Sequence, residues 1–262
     1  MNRGAIFWGG ILVLFGLLLL LSNLGLLGGI NVSGAIVPLF LILLGLWLIL
    51  GMAIKPSRAL EEVHIPLQDI RTMTLHINHG AGRLRLSSDA GDDRLLEGSF
   101  RGGLERKELR QADNFDLTLS LPQQYYFWGW RSTRQEWNLK LSKKVSIDLQ
   151  VSFGAGESHL DLRDLDVNRL ELKTGASTNH IFLPKREGLT RVLVETGASS
   201  VNIRVPEGVA ARIMTETALA GAHIDQERFP RQAGAYQSLD YETAQCRVEI
   251  KIRAGVAAVD VR

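Results

Sequence analysis

Cysteine is almost missing from these 262 residues: Cys246 is the only one. A lone thiol excludes an internal disulfide and every metal site that needs two sulfurs. It agrees with a reducing compartment without requiring one, and we expect Cys246 to be a small, partly buried strand residue. Also missing are a glycine-rich phosphate loop between strand and helix, a CxxC pair and an HExxH helix. The six histidines are scattered. His76 and His79, three apart, fall on opposite faces of an extended strand, which disfavours a shared metal, while His180 and His223 fall on the outward parity of theirs. No serine or cysteine nucleophile has a recognisable partner. The expectation is a protein with no catalytic residue, no cofactor and no metal, and so not an enzyme.

Charge is absent from the start of the chain. From Met1 to Ile54 the only charged side chain is Arg3, and every Asp and Glu lies beyond. The run from Ala5 to Ser22 carries no charge and has about the length that crosses ~30 Å of hydrocarbon as a helix. Its Leu, Ile, Val and Phe side chains favour insertion by roughly 5 kcal/mol before end corrections. After "NLGLLGGINVSG" a second span runs from Ala35 to Ile54 and is stopped by Lys55 and Arg58. The expectation is a transmembrane helical hairpin over residues 1–58, with spans at about 5–22 and 35–54. A second span directly after the first, with no small-x-small cleavage site, argues against a signal peptide. Cations flank both ends of the hairpin and none sits in its loop, which places both termini and the remaining residues, 59–262, on the cytoplasmic side of the inner (plasma) membrane. The remainder is close to charge balance, with no general field suited to nucleic acid.

What replaces charge and chemistry is repetition. Leu170, Leu172, Gly175, Ile181 and Leu183 are answered by Val192, Val194, Gly197, Ile203 and Val205, and each half closes on a proline, Pro184 or Pro206. The same frame fits Gly154, with Leu149 and Val151 before it and Leu160 and Leu162 after. It fits Ala218, with Ile213 before and Ile224 after; Gly80, with Leu75 and Ile77 before and Leu84 and Leu86 after; and Gly255, with Ile250 and Ile252 before and Val259 and Val261 after. Four consecutive units recur at about 21 or 22 residues, and two more lie beyond insertions. Apolar residues alternate within each unit, the mark of a strand with one buried face. Glycine followed by a small residue marks a tight turn between strands, so Gly80, Gly154, Gly175, Gly197 and Gly255 are expected as repeat turns. Units that cannot bury their own apolar face should stack. The expected fold beyond the hairpin is therefore all-β: a β-solenoid of stacked layers, or, as the alternative, a β-sandwich of hairpins.

Stacking also predicts columns. Two positions before the glycine stand Lys173, Glu195, Glu216 and Arg253, which reads as a solvated charge ladder with Lys173 facing Glu195. A minor reading takes Glu195 beside Glu216 as a catalytic carboxylate pair. Just before the glycine stand Thr174, Thr196 and Thr217.

An insertion at about 89–145 interrupts the frame. It holds two strand-like pieces, "FDLTLSLP" and "EWNLKLS", and between them Tyr125, Tyr126, Phe127, Trp128 and Trp130, followed by Arg131 and Arg134. Rings beside cations suit contact with a bilayer interface or a partner; the competing expectation is that the rings cap the first coil of the stack.

The charge-free hairpin, with "LVLFGLLLLLSNLGLL" and "VPLFLILLGLWLIL", resembles the transmembrane region of LiaI- and LiaF-type bacterial envelope-stress proteins. "TGAS", "LPKREG", "VPEGV" and "VEIKIRAGVAAVDV" resemble the β-rich region of LiaF-like proteins, called a toastrack domain. The resemblance implies a membrane-anchored regulator that restrains a sensor histidine kinase. This chain has two clear spans where LiaF proteins typically have four, and no kinase-contact residue is carried over. Three functions are set against one another: the stress regulator or sensor acting through protein contacts; a self-associating membrane-tethered scaffold, pairing through an open last strand at Arg262; and an exported adhesin-like or carbohydrate-binding β domain. The lipid bilayer is the first expected partner.

Overall fold

The computed structural model describes residues 60–122, 135–217, 221–232 and 234–262. The chain divides into two units, Met1–Ser57 and Arg58–Arg262, and the described residues all belong to the second. Both expected membrane spans lie outside the described residues. Among those described, no helix is long and apolar enough to cross a membrane.

The described unit is all-β. Its strands are β1 (Glu61–Pro66), β2 (Thr72–Ser87), β3 (Arg94–Arg101), β4 (Glu105–Gln111), β5 (Asn114–Ser120), β6 (Glu136–Leu141), β7 (Ser146–Asp161), β8 (Asp166–Phe182), β9 (Gly188–Arg204), β10 (Ala210–Thr217), β11 (Gly221–Ile224), β12 (Arg231–Gln232), β13 (Ala235–Gln237) and β14 (Cys246–Val261). They form one sheet in the order β1-β3-β6-β2-β7-β8-β9-β14-β10-β13-β12, with β5 also on β2, β4 on β5 and β11 on β14.

The stack expected from the repeat is present. β2, β7, β8, β9 and β14 lie parallel and in register, so that Ile77, Val151, Leu172, Val194 and Ile252 form one column. Each of these side chains is no more than 1% exposed, worth about 1.5–3 kcal/mol apiece on burial. Repeated β-branched and leucine residues at period two give every rung the same apolar face, and that face has only the neighbouring rungs to cover it.

The hairpin sandwich is excluded, because the glycines do not divide the units into separate strands. β7, β8, β9 and β14 run straight through them as strands of 16 or 17 residues. What changes at the glycine is phase. In β8 the buried positions are Leu170, Leu172 and Thr174, then Ser177, Asn179 and Ile181, while Gly175 and Ala176 between them are both exposed. Two consecutive exposed residues let one strand serve two arms, and the residues buried by both arms form one core. The line of glycines is the crease of the sheet.

Two sequence expectations need correction. The frame drawn on Gly80 and Gly255 was two residues out after the glycine: Leu86, not Leu84, is level with Leu160, and Leu84 is level with Ser158. The rungs also do not follow chain order at the end. β14 enters between β9 and β10, with β11 continuing β10 on its far side. Its last strand is therefore an interior rung, and the open edge expected at Arg262 is not there. The two strand-like pieces of the insertion do form sheet: β5 pairs with the first half of β2 and β6 with the second half.

Candidate functional site

The crease is the feature from which a site can be built. From Gly154 onward the glycine of each rung faces the main chain of the neighbouring rung. A β-carbon on Gly175 would lie 2.6 Å from the carbonyl oxygen of Gly154, and one on Gly154 would press still harder on that of Gly80. On Gly197 and Gly255 it would meet the preceding glycine's oxygen at 3.1 and 3.0 Å. Glycine is needed here for close backbone approach, not for a turn: positive φ occurs two residues later, at Gly82 and Gly156, and not in the column itself. All five predicted glycines, Gly80, Gly154, Gly175, Gly197 and Gly255, are thus brought together in one line.

A groove of about 1120 Å³ follows that line, from Glu105, Lys107 and Leu121 at one end to Glu216 and Arg253 at the other. One wall is the charge ladder. Lys173 lies 3.8 Å from Glu195, Glu195 lies 2.9 Å from Arg253, and Arg253 lies 3.1 Å from Glu216. The network extends outward from Lys173 to Glu171 at 2.8 Å and from Glu216 to Lys251 at 2.8 Å. Because β14 lies between β9 and β10, Glu195 and Glu216 are not neighbours, and the carboxylate pair considered from sequence does not form. The cation between them removes a like-charge contact that would destabilise the sheet. The hydrogen bond from Lys251 holds the Glu216 carboxyl below its ordinary pKa, Lys173 does the same for Glu171, and Glu195 followed by Glu216 raises that of Arg253.

Behind the ladder, Thr174 donates to Thr196 at 3.0 Å. Ala254 of β14 continues that column and is level with Thr217.

At the Leu121 end the crease is built differently. Asn78 pairs with Ser120 and Arg83 with Glu136, so β2 meets β5 before the corner and β6 after it. The aromatic cluster Tyr125, Tyr126, Phe127, Trp128 and Trp130, with Arg131 and Arg134, lies outside the described residues. His76 faces outward with its Nε2 3.8 Å from Asp116. His79 faces inward and is 2% exposed, so the two histidines do point apart. Its ring sits 4.8 Å from that of Trp137, edge-on, and 5.3 Å from that of Phe153. Among the described residues, neither ring nitrogen of His79 has a hydrogen-bond partner, nor do Trp137 Nε1 and Gln135 Oε1. Burial pushes the imidazole pKa down from 6.5 to about 4.

Sequence reasoning missed a polar ladder inside the core. Ser158 donates to Asn179 Oδ1 at 2.7 Å, and Asn179 Nδ2 donates to Ser177 at 2.9 Å. The signal was present, since these residues occupy the interior parity after the crease. The two-residue error in the frame hid it. Cys246 opens β14, half-buried and free. His180 stacks partly on His159 across two rungs, centroids 6.2 Å apart.

A parallel stack creased along stacked glycines is the arrangement against which known proteins can be compared. The family described as the N-terminal domain of toast_rack, DUF2154, matches residues 54–204. The chain belongs to this toast_rack family. No curated protein matches it. Among solved structures, a candidate cell adhesion protein from Clostridium sporogenes ATCC 15579 is similar, with TM-score 0.69 and 21% identity over 78% of this chain and 98% of that one. A candidate adhesin from Bacteroides fragilis NCTC 9343 aligns over 80% of this chain and all of its own, with 10% identity and a TM-score of 0.30. The first likeness shows a shared fold over most of this chain.

Proposed function

We propose that this toast_rack chain is a membrane-anchored, non-enzymatic regulator or sensor of bacterial cell-envelope stress, of the LiaF kind, acting through protein–protein contacts of its β domain. In this reading the hairpin of residues 5–22 and 35–54 holds it in the inner membrane with the β domain in the cytoplasm. The partner is another membrane stress protein, such as a sensor histidine kinase. The observation that carries the reading is the groove. Lys173, Glu195, Arg253 and Glu216 pair with one another in a row, and Lys251 holds the Glu216 carboxyl below its ordinary pKa. What the row offers is a contact every ~4.8 Å along a flat glycine floor, which suits an extended polypeptide. Replacing Glu195, Arg253 and Glu216 together by alanine in the full chain should abolish control of a stress reporter while the protein stays in the membrane at its normal level. An unchanged response to a cell-wall antibiotic would sink the proposal.

A second reading is favoured by the fold shared with the candidate cell adhesion protein: an exported adhesin-like β domain. A fluorescent protein fused after Arg262 separates the two, since it folds brightly in the cytoplasm and stays dark if the domain is exported unfolded across the membrane.

Self-association through sheet edges has less to support it. β4 is exposed at every residue and carries five charged side chains among seven positions, Glu105, Arg106, Lys107, Glu108 and Arg110. β1 ends on Pro66, and β11 is four residues long. Each is a device that discourages edge pairing.

A further inference from the structure

We propose that His159 and His180 form a two-histidine site for a divalent transition-metal ion of the zinc, nickel and copper group. It lies on the outer face of the arm that follows the crease. Register places the two residues together: β7 and β8 run parallel, and His159 is level with His180. Side chains level with each other on adjacent parallel strands leave the same face of the sheet, their backbones about 4.8 Å apart. Both histidines are half-buried, so neighbours hold each ring without sealing it in the core.

The separation suits a shared ion. The ring centroids are 6.2 Å apart and the planes are inclined by 42°. A metal about 2.1 Å from one nitrogen of each ring holds the centroids roughly 5–6 Å apart, so a small rotation of either side chain closes the pair on an ion. A neutral imidazole offers one lone pair, and its nitrogen suits zinc, nickel and copper.

The surroundings do not repel a cation. Arg85, level with His159 on β2, lies 3.5 Å from Glu136; Arg163 lies 2.6 Å from Asp161; and Arg204 lies 4.0 Å from Asp260. Each nearby guanidinium is thus answered by a carboxylate. Phe182 stands beside the pair, its ring centroid 5.3 Å from that of His159. Asn202 of β9 is level with His180 and brings an amide to the next rung. Among the described residues no third His, Cys, Asp or Glu completes a metal cluster, so the ion keeps positions for the Asn202 amide oxygen and for water.

The other histidines stand apart. His64 lies beside Arg94, His76 beside Asp116, and His79 is sealed against Trp137. His223 shares the column, but β9 and β14 lie between it and His180, which makes it an internal control.

The ion clips β7 to β8, and this inference is independent of the function proposed above. An ion that binds only the folded chain raises the folding equilibrium constant by about 11-fold at ten times its Kd. Calorimetric titration of the untagged full chain in micelles with zinc chloride should show one ion per chain. His159→Gln and His180→Gln should each weaken binding by more than about tenfold, and His223→Gln should leave it unchanged. Urea unfolding should show the stability gain in the unmodified chain and not in His180→Gln. Labelled-histidine NMR on the unmodified chain reads the site even if a variant fails to fold: the His159 and His180 rings should shift together on adding zinc, while His223 stays. Millimolar zinc that moves neither ring or only one of them, or that binds His180→Gln as tightly as the unmodified chain, overturns the proposal.

Discussion

Ser158 on β7 donates a hydrogen bond to Asn179 on β8 at 2.7 Å, and both side chains are fully buried. Polar atoms placed inside an apolar stack are tolerated only when satisfied, and here each rung satisfies the next. The pair fixes register, because a slip of one residue would leave both groups unpaired in the core.

Asn179→Ala should therefore destabilise the β unit by about 2–3 kcal/mol, mostly because the Ser158 hydroxyl and Ser177 lose their partner. Adding Ser158→Ala to it should return part of the loss. Denaturant titration followed by β-sheet circular dichroism measures both, and equal stability of the single variant and wild type would contradict the assigned role.

Alanine along the crease should be graded. Gly154→Ala drives a methyl into the Gly80 carbonyl and should cost on the order of 3 kcal/mol or prevent folding, while Gly197→Ala, 3.1 Å from its neighbour's oxygen, should cost about 1 kcal/mol. Melting curves of the two variants give the ranking. A reversed order would mean that the crease tolerates side chains where the geometry forbids them.

The ladder makes a prediction about salt. Arg253→Glu would put three carboxylates in a row, at Glu195, position 253 and Glu216. The melting midpoint should fall at low ionic strength, and the deficit should shrink as NaCl approaches 1 M, where the screening length is about 3 Å. A deficit independent of salt would point to lost packing of the arginine stem instead.

The β4 edge can be unmasked. Replacing Arg106, Glu108 and Arg110 with valine removes the charges that oppose pairing, and larger species should appear in sedimentation velocity at raised concentration. Sedimentation identical to wild type would show that something other than charge guards this edge.

The columns were readable in the sequence because every rung repeats the same demand: Leu172 and Val194 must bury one face, and only a neighbour in register can cover it. The place of β14 was not readable for the same reason. Ile250 and Ile252 fit beside Val192 and Val194 as well as Ile213 does, so apolar pattern could not choose between them. The role of glycine was half legible. Its recurrence marked a special backbone position, but whether that meant a turn or a close approach depends on the distance to the next rung, which no single strand encodes. His79 was read for what it could not share with His76, and its enclosure comes from Trp137, far along the chain.

The threading of β14 has a consequence for biogenesis. Ala210–Thr217 has no place on β9; it hydrogen-bonds to a strand that begins at Cys246. A nascent chain that has completed β9 must hold β10 in waiting until the ribosome releases β14. A pause in translation between the two would leave a half-built shelf whose next true occupant has yet to emerge.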